Sequence, residues 1–298
     1  MGQEAAKTNL VERFVYSART RGEYTGYILL LTDAPPERYD KLLNDTNIPN
    51  ENFVVMTPLS AHYRTDFKQK DMVFKRFKTF VLEYVTADPR LKHVQLVYYL
   101  DVDIVVTEPM VDFFQGLERG YHIGTISNQT DTSTIWMFEG NADRVQVQGG
   151  QMILDVHQSA GCLSKWRKLI DKSSKTRKDQ FPLMQMWKDQ QKSKLSSCKI
   201  VRMAQDHFIS FPSKQEVEDH VSEILEKSKT VNALNNASLI HIKNTGSAGN
   251  DVNETFHELF VRDILHFRTD QVDTLGITQK MHIKALKSDM INLDGGTH

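Results

Sequence analysis

The stretch "LVYYLDVDIVVTEP", residues 96–109, reads as a buried strand that ends in two carboxylates, Asp101 and Asp103, set among branched apolar side chains. An isolated carboxylate in apolar surroundings is costly unless it is paired, protonated or bound to a metal. In a strand, residues i and i+2 point to the same side, so both aspartates can present oxygens to one point. Such a pair suits a hard divalent ion, Mg or Mn, with phosphate oxygens and water filling the remaining positions. Open α/β sheets also bind ligands beyond the carboxyl ends of their strands, which is where this pair falls. The blander alternative is that both aspartates cap a turn; against it, "IVVTEP" continues apolar and offers no clean turn.

Working outward, residues 3–19 place Ala6, Leu10, Val11, Phe14 and Ala18 at helical spacing, and "GYILLLTDAP" follows as a short buried strand stopped by a turn. A second amphipathic helix is expected near 70–86, with Val73, Phe77, Phe80, Val81 and Tyr84 on one side. This helix, strand, helix, strand order argues for a parallel sheet with crossover helices. Further on come a glycine-marked apolar stretch "VQVQGGQMILDV", a helical "LSKWRKLI", a basic polar loop "DKSSKTRK" and "DQFPLMQMW". "CKIVRM" and "SLIHIKN" read as strands, and helices are expected near 215–227 and 255–266. Periodicity fades beyond Arg268, so the expected organisation is one domain over 1–267 and a polar tail over 268–298.

The chain has 298 residues, enough to bury a substantial core. Lys plus Arg number 37 against 38 Asp plus Glu, and a net charge of -1 gives no overall basic field of the kind nucleic-acid binders show. No apolar run approaches the roughly 18 residues of a membrane span, and "MGQEAAKTNL" has neither a signal-peptide core nor a myristoylation pattern. Two cysteines, Cys162 and Cys198, exclude a disulfide framework and a cysteine-built zinc site but leave one bridge open. Sequons at Asn44, Asn128, Asn236 and Asn253 would be glycan acceptors in a secretory lumen; chance supplies about two in such a chain.

With "YYLDVDIVV" as its strongest motif, the sequence resembles the GT-A glycosyltransferases, in particular the glycogenin-like family eight of retaining enzymes. In that family an apolar strand ends in a D-x-D that holds Mn on a nucleotide-sugar diphosphate. "FKRFKTFVLEYV" is similar to the family's K-x-x-x-F helix, with Arg76 where a substrate-facing Lys is usual; a solvated helix face is the plain alternative. "VQVQGGQMILDV" resembles F-N-x-G-V-M, with Gln148 in place of the Asn and Gly150 keeping the glycine that borders the sugar. Asp143 falls where the family often has a sugar-contacting acid, although a surface-loop aspartate is the plainer reading. "DQFPLMQMW" resembles the D-Q-x-x-L-N helix start, so Asp179 and Gln180 take the places under the anomeric carbon; an Asp opening a helix is otherwise an N-cap. "AQDHF" makes Asp206 a second choice. "LIHIKNTG" resembles H-x-x-G-x-x-K-P-W, giving His241 as the third metal ligand and Lys243 as a diphosphate contact, although the glycine comes late and K-P-W is absent.

The resemblance spans roughly residues 1–265 and implies a GT-A fold, a Rossmann-like α/β architecture with a mixed, mainly parallel sheet flanked by helices. It implies a metal-dependent, retaining glycosyltransferase with Mn2+ or Mg2+, a UDP-sugar donor and a carbohydrate or glycoprotein hydroxyl acceptor. A Golgi or other secretory lumen is expected, with a cytoplasmic setting still open. Two other readings remain. "LDVDIVV" also fits the haloacid-dehalogenase-like phosphatases, with Asp101 as nucleophile and Asp103 as general acid, although that signature normally ends the first strand of its domain. The departures from F-N-x-G and K-P-W also fit a non-catalytic carbohydrate-binding relative.

A GT-A domain opens with a strand whose carboxyl end cradles the nucleotide base, whereas this chain opens with a helix. "YILLLTD" then corresponds to the family's second strand. The expectation is an N-terminally shortened copy of an anchored luminal enzyme; the alternative is that Met1 is the true start and another segment, such as the tail after Arg268, takes the first-strand place.

Overall fold

A computed structural model describes residues 10–45, 50–63, 75–106, 108–124, 132–142, 145–172, 179–192, 197–204, 208–211 and 239–242. The helices expected near 215–227 and 255–266, the tail from 268, and Asp143, Asp206 and Lys243 lie outside the described residues.

The first unit is helix α1 (Leu10–Thr20), strand β1 (Ile28–Leu31), helix α2 (Pro36–Asp45) and strand β2 (Phe53–Met56), with β1 and β2 parallel. Val11 and Val15 of α1 and Tyr39 and Leu43 of α2 form one buried cluster against Ile28 and Leu30. The alternate β1 residues, Leu29 and Leu31, turn to the other face and pack with Phe77, Phe80 and Tyr84. That face is supplied by a 3-10 turn, Lys78–Phe80, leading into α3 (Val81–Ala87).

The quoted stretch is divided. Strand β3 (Leu96–Leu100) stops before the first aspartate, a tight turn spans Asp101 to Asp103, and β4 (Ile104–Val106) begins a different sheet. The Ile104 amide donates to the Asp101 carbonyl at 3.2 Å, which closes the turn. The expectation that no clean turn follows the strand is corrected here: apolar residues on both sides of the turn enter two separate ladders, so hydropathy alone gave no break.

Helix α4 (Met110–Tyr121) buries Met110 and Phe114 and ends at His122, whose φ of 53° is left-handed. Strands β5 (Ser133–Ala142) and β6 (Val145–Asp155) form an antiparallel hairpin, followed by α5 (Ala160–Lys172), α6 (Gln180–Lys192) and β7 (Cys198–Met203). The larger sheet has the order β3-β6-β5-β7; among the described residues its one parallel pair is β5 with β7. Beside it, β4 pairs antiparallel with β9 (Leu239–Ile242), which pairs parallel with β8 (Phe208–Phe211). The architecture is the expected mixed α/β one, with parallel and antiparallel ladders flanked by helices. Its main core lies between β5–β6–β7 and α5–α6, around Trp166, Ile135, Met137 and Met152. Cys162 on α5 and Cys198 on β7 form a disulfide across this core.

Candidate active site

The site is built on an irregularity in β6. From the Met137–Met152 pair to the Glu139–Val147 pair, β5 advances two residues while β6 advances five. The surplus forms a bulge around Gln148, Gly149 and Gly150, and bulges of this kind re-aim backbone and side chains beside functional sites. Gln180, at the start of α6, clamps it: its Oε1 accepts from the Gly149 amide at 3.2 Å and its Nε2 donates to the Val147 carbonyl. A Cβ on Gly149 would lie 3.1 Å from the Trp166 ring, so the backbone here runs directly over the core indole.

Gly150 makes the contact that matters most. Its carbonyl accepts from the Asp101 amide at 2.8 Å, and a Cβ in its place would stand 2.5 Å from Asp101 Oδ2. Only glycine leaves room for this carboxylate. The other oxygen, Oδ1, accepts from the Tyr99 hydroxyl at 2.8 Å and faces the Lys78 ammonium at 3.5 Å.

Lys78 is buried and its Nζ has three oxygen partners: Asp179 Oδ2 at 2.9 Å, the Gly149 carbonyl at 2.9 Å and Asp101. Burial alone would lower its pKa, but Asp101 and then Asp179 outweigh this and hold it well above the ordinary lysine range. Burial pushes the Asp101 carboxyl up; Lys78 opposes the rise and Asp103 adds to it. Burial likewise raises the Tyr99 hydroxyl, with Asp101 next, so its proton stays to serve the carboxylate. The result is a carboxylate, ammonium, carboxylate row with two negative groups to one buried positive group, and Asp103 adds a third carboxylate beside it.

Asp101, Asp103, Asp179 and Lys78 line one cleft of about 1060 Å3, together with Lys75 and Asp33. Asp101 and Asp103, two residues apart, and Asp179, which directly precedes α6, therefore line the same cleft. The bland N-cap role does not describe Asp179: its carboxylate goes to Lys78, while its carbonyl accepts from Trp166 Nε1 at 3.0 Å. Gln148 is half-buried on the bulge beside Gly149. His241 sits opposite Ile104 in the β4–β9 ladder, which brings its backbone beside the residue that follows Asp103; its side chain lies outside the described residues.

Two expectations change. Arg76 does not face the cleft: its guanidinium makes a fork to Asp171, with Nε–Oδ1 at 2.7 Å and Nη2–Oδ2 at 3.0 Å, and Nη1 donates to the His62 carbonyl at 2.6 Å. The buried cation among the carboxylates is Lys78, two residues on, because the chain tightens into a 3-10 turn there and its register differs from an ideal helix. Gln180 was expected at the reacting centre, yet both its amide atoms are engaged by the bulge backbone. It positions Gly149 and Gly150.

The carboxylate set fits a hard divalent ion. Oxygen donors suit Mg or Mn, one or two protein carboxylates suffice when phosphate supplies the rest, and the glycine cradle keeps Asp101 Oδ2 uncrowded. Among the described residues no group of three His, Cys, Asp or Glu forms a complete protein cage.

No protein-family model matches the sequence, and no curated relative matches it. Solved structures do. The glycosyltransferase GlyE of Streptococcus pneumoniae TIGR4, in its apo form, superposes with a TM-score of 0.53 at 13% identity, over 91% of this chain and 60% of that one. The bifunctional glycosyltransferase WbbM superposes with a TM-score of 0.54 at 11% identity, over 93% of this chain and 50% of that one. This chain has the glycosyltransferase fold. It spans between half and three fifths of the length of these two neighbours. Within that fold, Asp101, Asp103, Lys78 and Asp179 gather at the carboxyl end of β3, and α/β sheets take their ligands at the carboxyl ends of strands.

Proposed function

We propose that the protein is a metal-dependent glycosyltransferase that takes a sugar from a nucleotide-sugar donor, a UDP-sugar, and passes it to a hydroxyl of a carbohydrate or glycoprotein acceptor. One observation carries the reading: three carboxylates and a buried lysine converge on one large cleft at the end of β3. The fold is the second support.

Asp101 and Asp103 would hold Mn2+ or Mg2+ together with the donor's diphosphate, and His241 is the candidate for a further ligand. A divalent ion bound there supplies Lewis-acid stabilisation of the departing nucleoside diphosphate. Lys75, at the cleft wall, adds positive charge for the phosphates. Tyr99 and Lys78 fix the Asp101 carboxylate so that it does not rotate away. In the transfer, the bond from the anomeric carbon to the phosphate oxygen breaks, with its electron pair leaving on the nucleotide. A bond from the acceptor oxygen forms, and the acceptor proton is released. Asp179, held by Lys78, is placed to stabilise positive charge at the anomeric carbon and to orient the acceptor. The resemblance to the family-eight enzymes implies retention of configuration.

A secretory lumen fits this reading. The Cys162–Cys198 disulfide belongs to oxidising compartments, and Asn44 of the first sequon is exposed near the end of α2. No helix among the described residues is long and apolar enough to cross a membrane.

The test is a thermal-shift screen of nucleotide sugars with and without Mn, followed by measurement of sugar release and product configuration. A ligand that binds only the native state raises its apparent stability. Stabilisation by a UDP-sugar only when Mn is present, with sugar release, supports the proposal. Stabilisation without any turnover supports the binding-protein reading, and hydrolysis of an aryl phosphate in place of the sugar donor supports the phosphatase reading.

A further inference from the structure

We propose that Trp166 is a positioning residue for the transfer step: its indole holds the two backbone segments that Lys78 joins, and so sets where the Asp179 carboxylate stands in the cleft. This inference rests on the glycosyltransferase reading above, in which Asp179 acts at the anomeric carbon.

Trp166 is fully buried on α5 and does not belong to the cleft lining, so any part it has in the chemistry passes through other residues. Its polar edge reaches the start of α6, where Nε1 donates to the Asp179 carbonyl at 3.0 Å. The helix's own bond to that carbonyl, from the Leu183 amide, is longer at 3.4 Å. The indole is therefore the nearer donor, and it holds the backbone of the residue whose carboxylate lines the cleft.

Its apolar edge supports the bulge. The ring atoms Cη2 and Cζ2 lie 3.1 and 3.2 Å from where a Cβ on Gly149 would stand, so the glycine backbone rests directly on the indole. The Gly149 carbonyl accepts from Lys78 Nζ at 2.9 Å, and the same Nζ lies 2.9 Å from Asp179 Oδ2. The ammonium also lies 6.0 Å from the Trp166 ring, at the edge of the cation–π range. Four groups thus close a ring of contacts: Trp166 to Asp179, Asp179 to Lys78, Lys78 to Gly149, and Gly149 back to Trp166.

A buried indole N–H ordinarily finds a partner, so a single bond to a carbonyl serves the fold alone. What sets Trp166 apart is that its two contacts fall on the two segments bridged by the lysine. Lys78 holds the tip of the Asp179 side chain and Trp166 holds its root. A carboxylate pinned at one end only can pivot, and a charge that must face one reacting carbon loses effect when it does. The consequence belongs to the transition state and not to donor binding, because the metal and diphosphate are assigned to Asp101 and Asp103.

Mn-dependent release of sugar from UDP-glucose, UDP-galactose or UDP-xylose, whichever the parent turns over fastest, tests this in three variants. Trp166→benzothienylalanine exchanges the N–H for sulfur at nearly constant ring size, and Trp166→Phe removes both the N–H and the edge that meets Gly149. Leu163→Ala alters a buried residue of the same helix and core cluster that stands outside the ring of contacts. The benzothienyl variant should lower kcat by about tenfold or more while donor KM and the calorimetric affinity for Mn and UDP stay within about twofold of the parent. Trp166→Phe should lower kcat further, and Leu163→Ala should melt earlier yet keep the parental kcat. A parental kcat in the benzothienyl variant, an equal kcat loss in Leu163→Ala, or a loss of Mn and UDP affinity in place of kcat would each overturn the positioning role and leave the proposed function standing. A parent that releases no sugar from any of the three donors would overturn the proposed function and this role with it.

Discussion

The ammonium of Lys78 lies 2.9 Å from Asp179 Oδ2, and this buried contact joins the turn before α3 to the start of α6, on either side of the bulge that holds Asp101. Removing one partner of a buried pair leaves the other charge uncompensated, at a cost of about 3–5 kcal/mol. Lys78→Met is therefore expected to lower stability by about that amount. Lys78→Met combined with Asp179→Asn should lose less than the two single changes together. Denaturant unfolding of the four proteins measures the coupling; strict additivity would mean that the contact contributes nothing.

Gly150→Ala places a methyl group where Asp101 Oδ2 now lies 2.5 Å from the Cβ position, so the carboxylate must swing aside. The stability loss should be modest, about 1–3 kcal/mol, as for other overpacking changes. Mn-dependent donor affinity should fall at least about tenfold, equivalent to about 1.4 kcal/mol. Titration calorimetry with Mn and UDP reads this directly, and unchanged affinity would remove Asp101 from the metal site.

The Cys162–Cys198 bridge closes a loop with a sequence separation of 36. The chain-entropy relation gives about 3–4 kcal/mol for a loop of that size. Replacing both cysteines by serine should lower the unfolding free energy by about that much, and dithiothreitol should have the same effect on the parent protein and none on the variant. Melting with and without reductant makes the comparison.

The parts of the fold and site that were legible in the sequence are those where a local signal coincides with a long-range one. "LVYYLDVD" shows both a strand and a chemical anomaly, and "VQVQGGQMILDV" shows a strand whose paired glycines mark the bulge. Lys78 gave no such signal. In "FKRFKTF" three cations occur within four residues, and which one turns inward depends on the 3-10 tightening at Lys78–Phe80, a tertiary effect. Strands β2 and β5 and helices α2 and α4 were not anticipated either. Helix α2 carries polar residues at most of its positions, and β5 is recognisable mainly through its ladders with β6 and β7.

His62 offers a pH-dependent stability term remote from the cleft. The Tyr84 hydroxyl accepts from the Leu59 amide at 2.9 Å, so its own proton goes to His62 Nδ1 at 2.8 Å. The Nε2 proton then faces Glu83 at 3.4 Å, and the ring stacks on Phe80 with centroids 3.9 Å apart. Burial lowers the His62 pKa; Glu83 opposes this, while Arg167 and Arg76 reinforce it. The folded state thus resists a proton that the unfolded chain accepts near about pH 6.5. The contribution is complete above that pH and is lost as pH falls towards the folded value. Melting temperature should decline more steeply between about pH 7 and pH 5 in the parent than in His62→Gln; parallel profiles would rule this out.

Arg76 and Lys75 are neighbours in sequence with opposite expected phenotypes. The Arg76 fork to Asp171 is buried, and a lysine cannot reproduce two parallel hydrogen bonds, so Arg76→Lys keeps the charge but loses the geometry. Hydrogen bonds to charged groups are worth about 1.5–3 kcal/mol each, and at least one is lost. Stability should drop by about that much while donor affinity stays at the parental level, because nothing in the cleft moves. Lys75 lines the cleft, so Lys75→Ala should instead weaken nucleotide binding and leave unfolding nearly unchanged. Its effect should shrink as salt is added, since a wall cation acts on phosphate through a screened field. Donor titrations at low and high ionic strength, run beside denaturant curves for both variants, separate the roles. An Arg76→Lys protein of normal stability with impaired donor binding would return Arg76 to the diphosphate and displace Lys75.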